Sequence, residues 1–273
     1  MTDTLDTIPL GSGVTLLHKD ANGLLAFNKP SSVRAHPNDC RSDPNALIVA
    51  DYDSQSEAYQ WLGPAGKAQQ LYLINRLDAP TSGIILAATS HACACAVRAA
   101  FRDRKVEKTY LARVFNHPRP ASGQWHDHML TQRTPGGLRS RLGSGPSAHT
   151  RYRTLASEKN NQIVTSLLEL HPLTGRTHQL RVQCQGHGVP IVGDQTYGDF
   201  RLNRDYFAKR EWTLRLCLHA WRIRLQYQIA QASYCFEAEA PPPPELGAGR
   251  TLDHQAAVVE TNSRLSGRRF KRP

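Results

Sequence analysis

Apolar runs of strand length, broken by polar turns, dominate the first third of the chain. Val14 to His18 and Leu24 to Asn28 flank Asp20-Ala21-Asn22-Gly23, which predicts an opening β-hairpin. Leu71-Tyr72-Leu73-Ile74 and Ile84-Ile85-Leu86-Ala87-Ala88 flank the polar stretch Asn75 to Gly83, predicting two buried strands joined by a turn-prone loop. Pro80 pre-sets a turn there and Gly83 tolerates a strained one. An unbroken Ala-rich segment, His91 to Arg104, predicts a helix, with Arg98, Arg102 and Arg104 placed near its C-terminal end.

The pattern continues with fewer clear signals. Val106 to Phe115 reads as a strand carrying Tyr110, and His149 to Leu155 pairs with Ile163 to Leu170 around Glu158-Lys159-Asn160-Asn161. Cys217 to Ile229 and Ala232 to Ala240 complete a sheet. Thr174 to Val182 predicts a short basic helix with Thr174 as N-cap and Gly186 or Gly188 as its end. On it His178 and Arg181 are three apart and share a face, while Leu180 points to another side or to the rim. Ser31 to Asp53 shows little periodicity and carries no assignment. Asn116 to Gly145, rich in Gly, Pro, His and Arg, reads as an irregular insertion with short strands. Its Arg133, Arg139 and Arg141 suit either an RNA-contacting surface or a solvated loop. Gly198 to Arg215 is polar and basic with interleaved aromatics.

Composition narrows the function classes. The 273 residues suffice for one large domain or two closely packed lobes. With 34 basic and 23 acidic residues the formal charge is +11, which suits a polyanionic partner such as nucleic acid. No apolar run of membrane-spanning length occurs, and the first ten residues do not read as a secretory signal. The six cysteines form no Cys-x-x-Cys pair, and Cys184 with His187 lacks a second half-site for zinc. Reduced thiols in a cytoplasm are expected.

Asp78, two residues after Arg76 in the loop between two buried strands, is well placed for chemistry, but the stretch alone favours a turn-capping role. Further blocks change that balance. Arg76-Leu77-Asp78-x-x-Thr81-Ser82-Gly83, Lys108-Thr109-Tyr110, Gly175-Arg176-Thr177-His178-Gln179-Leu180-Arg181 and Pro190-Ile191-Val192-Gly193-Asp194 resemble, in order, the motifs of the RluA family of RNA pseudouridine synthases. Lys29-Pro30 through His36-Pro37, and Leu218-His219-Ala220, resemble further family blocks, so the similarity runs from about Gly23 to about Pro241.

The resemblance implies an α+β pseudouridine-synthase fold: a mixed, mostly antiparallel sheet flanked by helices and loops around a central RNA-binding cleft. It implies a catalytic domain over residues 1–245 without an N-terminal accessory RNA-binding domain, followed by a basic, mobile tail over 246–273. It also implies isomerisation of uridine in structured RNA. The base is flipped out, and the glycosidic bond is broken and re-formed with Asp78 as nucleophile or base. Arg181 is the implied basic partner of Asp78. Tyr110 lies under the uracil and helps remove its proton, and Leu180 is an apolar contact to the base. Arg76 reaches toward the vacated stack, and Lys108, Arg176 and His178 are implied substrate contacts. No redox cofactor or metal is required, and a monomer with tRNA or rRNA as partner is expected. The Gly198 to Arg204 segment looks more like the tRNA pseudouridine synthase C branch than the ribosomal one. The alternative is an RNA-binding or RNA-folding protein of the same fold with little turnover. The sequence departs from the family pattern at Asn75, at Ser31-Ser32-Val33 and at Val189, where His, small-Gly-apolar and His are usual.

Overall fold

The structure, a computed structural model, describes residues 8–247 apart from 136, 161 and 209–213. The predicted opening hairpin is present as β1 (Thr15–Lys19) and β2 (Leu24–Lys29). Two short strands, β3 (Asp51–Asp53) and β4 (Ala58–Leu62), lead into β5 (Ala68–Leu73). The polar loop separates β5 from β6 (Ser82–Ala88), every residue of which is buried. The remaining strands are β7 (Val106–Phe115), β8 (Ser122–Thr134), β9 (Gly137–Asn160), β10 (Ile163–Pro172), β11 (Leu218–Ile229) and β12 (Ala232–Glu239).

These strands form one 12-stranded sheet in the order β3-β4-β5-β6-β11-β7-β10-β9-β8, with β2 joining β1 to β6 and β12 pairing with β11. Every pairing is antiparallel except β6 with β11, which is parallel over two positions, Ser82 opposite His219 and Gly83 opposite Ala220. The mixed, mostly antiparallel sheet with a few helices is the α+β architecture expected from the sequence.

Helix α1 (His91–Arg102) starts where Ser90 Oγ accepts from the Cys93 backbone N–H at 3.2 Å. Its buried residues Cys93, Ala94, Val97 and Ala100 recur at helical spacing and pack on Ile84, Leu86, Ile223 and Leu225 of β6 and β11. At 12 residues it is the longest helix described, and none is long and apolar enough to cross a membrane.

Three readings of the sequence need correction. Asn116 to Gly145 is not irregular: most of it belongs to a long ribbon of β8 and β9. The ribbon reads as polar because only one side is covered. Trp125, Met129, Ala148 and Tyr152 face inward, while Arg133, Arg139 and Arg141 are exposed. Thr174 does not cap the basic helix. Helix α2 spans Gln179–Gly186, with His178 at its N-cap in the left-handed region (φ 56°). The Gln179 side chain reaches back to accept from Arg176 N–H (3.0 Å) and Thr174 Oγ1 (2.7 Å), holding 174–178 as a turn. Third, part of the unassigned basic-aromatic segment is a helix, α3 (Phe200–Phe207), capped by Asp199 Oδ1 accepting from Leu202 N–H at 2.8 Å.

The packed chain continues past the proline run. Pro244–Leu246 forms a 3-10 turn, Leu246 is fully buried, and Arg113 donates from Nε and Nη2 to the Leu246 carbonyl at 2.9 and 2.6 Å. The basic tail, and Lys209, Arg210 and Trp212, lie outside the described residues.

Candidate active site

One rung of the sheet sets the geometry. Lys29 lies opposite Gly83, Gly83 opposite Ala220, and Ala220 opposite Tyr110, across β2, β6, β11 and β7. Paired residues share a face of the sheet, so Lys29 and Tyr110 approach from either side of the two small residues between them. Gly83 has φ +109°, and a Cβ there would sit 2.2 Å from the Ala220 carbonyl oxygen. Only glycine permits this contact between strands.

The loop carrying Asp78 ends at this rung. Its turn is closed by Thr81 N–H donating to the Asp78 carbonyl at 2.9 Å, a bond of the main chain. The Asp78 carboxylate is engaged elsewhere: Arg181 Nη1 donates to Oδ2 at 3.0 Å, and His178 Nε2 lies 3.8 Å from the same oxygen. The turn-capping role therefore gives way to an ion pair across the cleft. The left-handed cap of α2 aims His178 and Arg181 at one carboxylate.

Arg181 is fixed from behind by a second acid. Its Nε and Nη2 donate to Asp194 Oδ2 and Oδ1, both at 2.8 Å, with Arg181 6 % and Asp194 1 % exposed. Burial works against both charges, but the paired hydrogen bonds and opposite charges outweigh it. They hold the Asp194 carboxyl below its usual range and raise the Arg181 guanidinium above its own. Thr196 and Tyr197 N–H also donate to Asp194 Oδ1, at 2.8 and 3.0 Å. Asn203 of α3 clamps the turn before it, accepting from Gly193 N–H at 2.7 Å and donating to the Asp194 carbonyl at 3.2 Å. The Tyr197 ring lies 5.0 Å from the Arg181 guanidinium carbon, and its hydroxyl is 2.8 Å from His178 Nδ1. Burial lowers the His178 pKa, against the pull of Asp78.

Lys29 supports the loop from the other side. It is fully buried, and its ammonium donates to the carbonyls of Pro30 (2.9 Å), Val33 (2.7 Å) and Ala79 (3.0 Å), the last adjacent to Asp78. Burial lowers its pKa to about 7, opposed by Asp78 and assisted by Arg215. Ser32 N–H and Ser31 Oγ donate to the carbonyls of Ala79 and Pro80, at 2.8 and 2.9 Å. Ser32 adopts φ 72°, which explains why glycine would be usual there. Asn75, the other departure near the loop, accepts from Leu86 N–H at 2.7 Å and ties the loop to β6.

A buried relay closes the far end. Arg215 Nη2 donates to Ser82 Oγ at 2.7 Å, and Ser82 Oγ lies 2.8 Å from His219 Nδ1. His219 Nε2 meets the Ala240 carbonyl at 3.2 Å, and burial lowers the ring's pKa to about 4. A neutral ring donates to Ala240 and accepts from Ser82.

The other expected residues divide. Burial, then the charge of Asp78, raises the Tyr110 phenol above its ordinary pKa. Lys108 is on the same face of β7, with its pKa lowered by burial. Leu180 is 6 % exposed and packs in the core beside Tyr110. Arg76 is exposed, and its charge is felt at Tyr52. Arg176 is exposed and donates to the Ser147 carbonyl of the ribbon at 3.0 Å, away from Asp78. His36 stacks on Tyr52 with ring centroids 5.0 Å apart. Lys29, Ser82, Asp194, Tyr197, Arg215 and His219 were not singled out as site residues from sequence. The signal that existed for Asp194 was its place at the end of the Pro190-Ile191-Val192-Gly193-Asp194 block, which does not by itself pair it with Arg181.

The fold is that of the pseudouridine synthases. Human RNA pseudouridylate synthase domain containing 1 superposes with TM-score 0.63 at 26 % identity, over 86 % of each chain. Human RNA pseudouridylate synthase domain containing 4 gives TM-score 0.61 at 26 % identity, over 85 % of this chain and 90 % of that one. Residues 23–186 match the family model described as RNA pseudouridylate synthase. The dual-specificity RNA pseudouridine synthase RluA of Escherichia coli is 30 % identical over 232 residues, 83 % of this chain and 93 % of its own. Ribosomal large subunit pseudouridine synthase C of Vibrio vulnificus is 32 % identical over 215 residues, 76 % of this chain and 60 % of its own. An RNA pseudouridine synthase of Mycobacterium bovis is 31 % identical over 201 residues, and the chain spans 62 % of its length. The chain belongs to the RluA family of RNA pseudouridine synthases.

Proposed function

We propose that this protein isomerises uridine in structured RNA to pseudouridine, with tRNA as the favoured substrate. One observation carries the reading. A half-buried carboxylate, Asp78, stands at the cleft with its charge held by a buried guanidinium, which is itself locked by a buried carboxylate. In this mechanism Asp78 attacks the flipped nucleotide or takes up its proton while the bond from ribose to base nitrogen breaks. The uracil turns and rejoins through carbon. Tyr110, under the base, helps remove the proton at the new attachment carbon. Its raised pKa means that the phenol enters protonated, so it takes up the carbon's proton only as it passes its own to the Asp78 carboxylate or to solvent. Arg181 pairs with Asp78 and holds its carboxylate in place. Arg76, exposed on the same loop, occupies the space that the base leaves, and Leu180 and Lys108 complete the wall of the pocket.

The preference for tRNA rests on the segment after Gly193-Asp194. The relative named for the large ribosomal subunit supports the other choice. Pseudouridine mapping of total RNA with and without the protein decides between them. Asp78→Asn tests the mechanism, because it keeps the side chain's size and removes its charge. Single-turnover isomerisation is expected to vanish while filter binding persists, since phosphate contacts elsewhere supply most of the affinity. Turnover near the parental rate would sink the assignment. Loss of RNA binding in parallel would instead favour an RNA-folding protein in which Asp78 shapes the surface.

A further inference from the structure

An open cleft of about 500 Å³ lies between the β8–β9 ribbon, α2 and the loop after Asp194. Its size falls in the range of small-ligand sites. Leu142, Val182 and Tyr197 give it apolar and aromatic surface, and Arg141, Gln185 and Thr196 bring polar groups to it. No acidic side chain lines it. Tyr197 is the wall it shares with the catalytic site. The Tyr197 ring lies beneath Arg181, and its hydroxyl bonds to His178 Nδ1 at 2.8 Å and accepts from Ser140 N–H at 3.0 Å. The ribbon is therefore pinned to the same tyrosine that borders the Asp78 pocket. The positive charge of Arg139 on the ribbon contributes to lowering the His178 pKa.

We propose that this cleft is a second nucleotide subsite, which takes an unpaired nucleotide beside the flipped uridine. The inference rests on the proposed activity and deepens it. The chemistry supports this occupant. An aromatic face with apolar neighbours suits an unstacked base. The Gln185 amide offers both a donor and an acceptor to a base edge, and Arg141 suits a phosphate. Continuity with the pocket through Tyr197 makes the occupant part of the same RNA strand as the target.

The test uses the full chain and an RNA hairpin with a seven-nucleotide loop containing one uridine among adenosines. In a set of such hairpins, one loop base at a time is replaced by an abasic ribose. Binding is measured for the parent and for the double variant Arg141→Ala, Gln185→Ala. Both residues are exposed, so the variant should fold, and its melting curve is recorded alongside. At one position near the uridine the abasic change is expected to weaken parental binding about tenfold, as loss of one stacked base would. In the double variant the same change should cost about threefold, because the base edge has already lost Gln185 while the Tyr197 face remains. Equal losses in both proteins at every position, or no loss at any, would overturn the subsite. Pseudouridine in the same hairpins is assayed separately. Hairpins that bind with the predicted pattern and stay unmodified would count against the proposed activity and not against the cleft.

Discussion

Two carboxylates share one guanidinium in this site, and the structure assigns them opposite consequences. Asp194 is 1 % exposed and accepts four hydrogen bonds: two from Arg181 and one each from Thr196 and Tyr197. Asp194→Ala leaves Arg181, itself 6 % exposed, with a single contact to Asp78 and strands two backbone N–H groups. Breaking a buried pair costs about 3–5 kcal/mol. The two orphaned donors are only partly buried, and they add toward the low end of roughly 1–3 kcal/mol each, less whatever water recovers. A loss of about 4–6 kcal/mol is expected. Asp78→Ala removes one bond at 3.0 Å from a side chain 26 % exposed, and Arg181 keeps both of its bonds to Asp194. Its cost should stay within about 1 kcal/mol, the scale of a partly solvated pair. Urea unfolding with m held constant reads both. The ranking should invert for isomerisation, with Asp78→Ala inactive and folded. An Asp194→Ala protein within about 1.5 kcal/mol of the parent, or an Asp78→Ala protein equally destabilised, would refute the account of how Arg181 is held.

Backbone conformation beside the loop predicts changes of opposite sign. Gly83→Ala should destabilise by several kcal/mol, because its Cβ meets the Ala220 backbone at 2.2 Å. Ser32→Gly should stabilise by about 1 kcal/mol, because it relieves a left-handed φ of 72°. Thermal or urea melts of the two proteins check both signs. Burial lowers the Lys29 pKa from 10.5 to about 7, so between those values the unfolded chain keeps a proton that the native chain releases. Native stability relative to Lys29→Met should therefore rise with pH across that window, by up to about 1.4 kcal/mol per unit. A flat difference in urea midpoints from pH 7 to 10 would contradict it. A chain ending at Pro242 loses the buried Leu246 and the acceptor for Arg113, and should unfold about 3 kcal/mol more easily than one ending at Gly247.

What the sequence revealed, and what it hid, follow from the range of the interactions involved. β2 and β6 announce themselves as short apolar runs buried almost throughout, and α1 by apolar residues at helical spacing. The ribbon does not, because β8 buries only Trp125 and Met129, four residues apart rather than two. The cap of α2 was misplaced because Thr174 is a strong local candidate. The Gln179 side chain, five residues on, captures its hydroxyl and moves the helix start. Asp78 and Arg181 were readable as motif residues 103 positions apart. Asp194 was not singled out, because its role exists only once α2 and the Gly193 turn are packed together. The relay of Arg215, Ser82 and His219 is likewise invisible before β6 and β11 are aligned.

The position of the site follows from one irregularity in the sheet. β6 and β11 run parallel and are joined over only two positions. From Lys29 opposite Gly83 onward, β6 follows β2, whereas β11 follows β7 and β12. The two strands therefore separate, and α1 packs into the space through small residues, Cys93, Ala94 and Ala100, with Val97. On the other side of the junction the chain has no ladder to continue, because the residues before Ser82 form the Asp78 loop. A loop at such a break must be held by side chains. Lys29, Ser31, Asn75 and Arg181 each supply a hydrogen bond to the loop or to its flanking strand, and three of them reach it from distant segments. The close approach of Gly83 to Ala220 permits the junction. The junction in turn places a carboxylate opposite the guanidinium on α2, with Tyr110 one strand away.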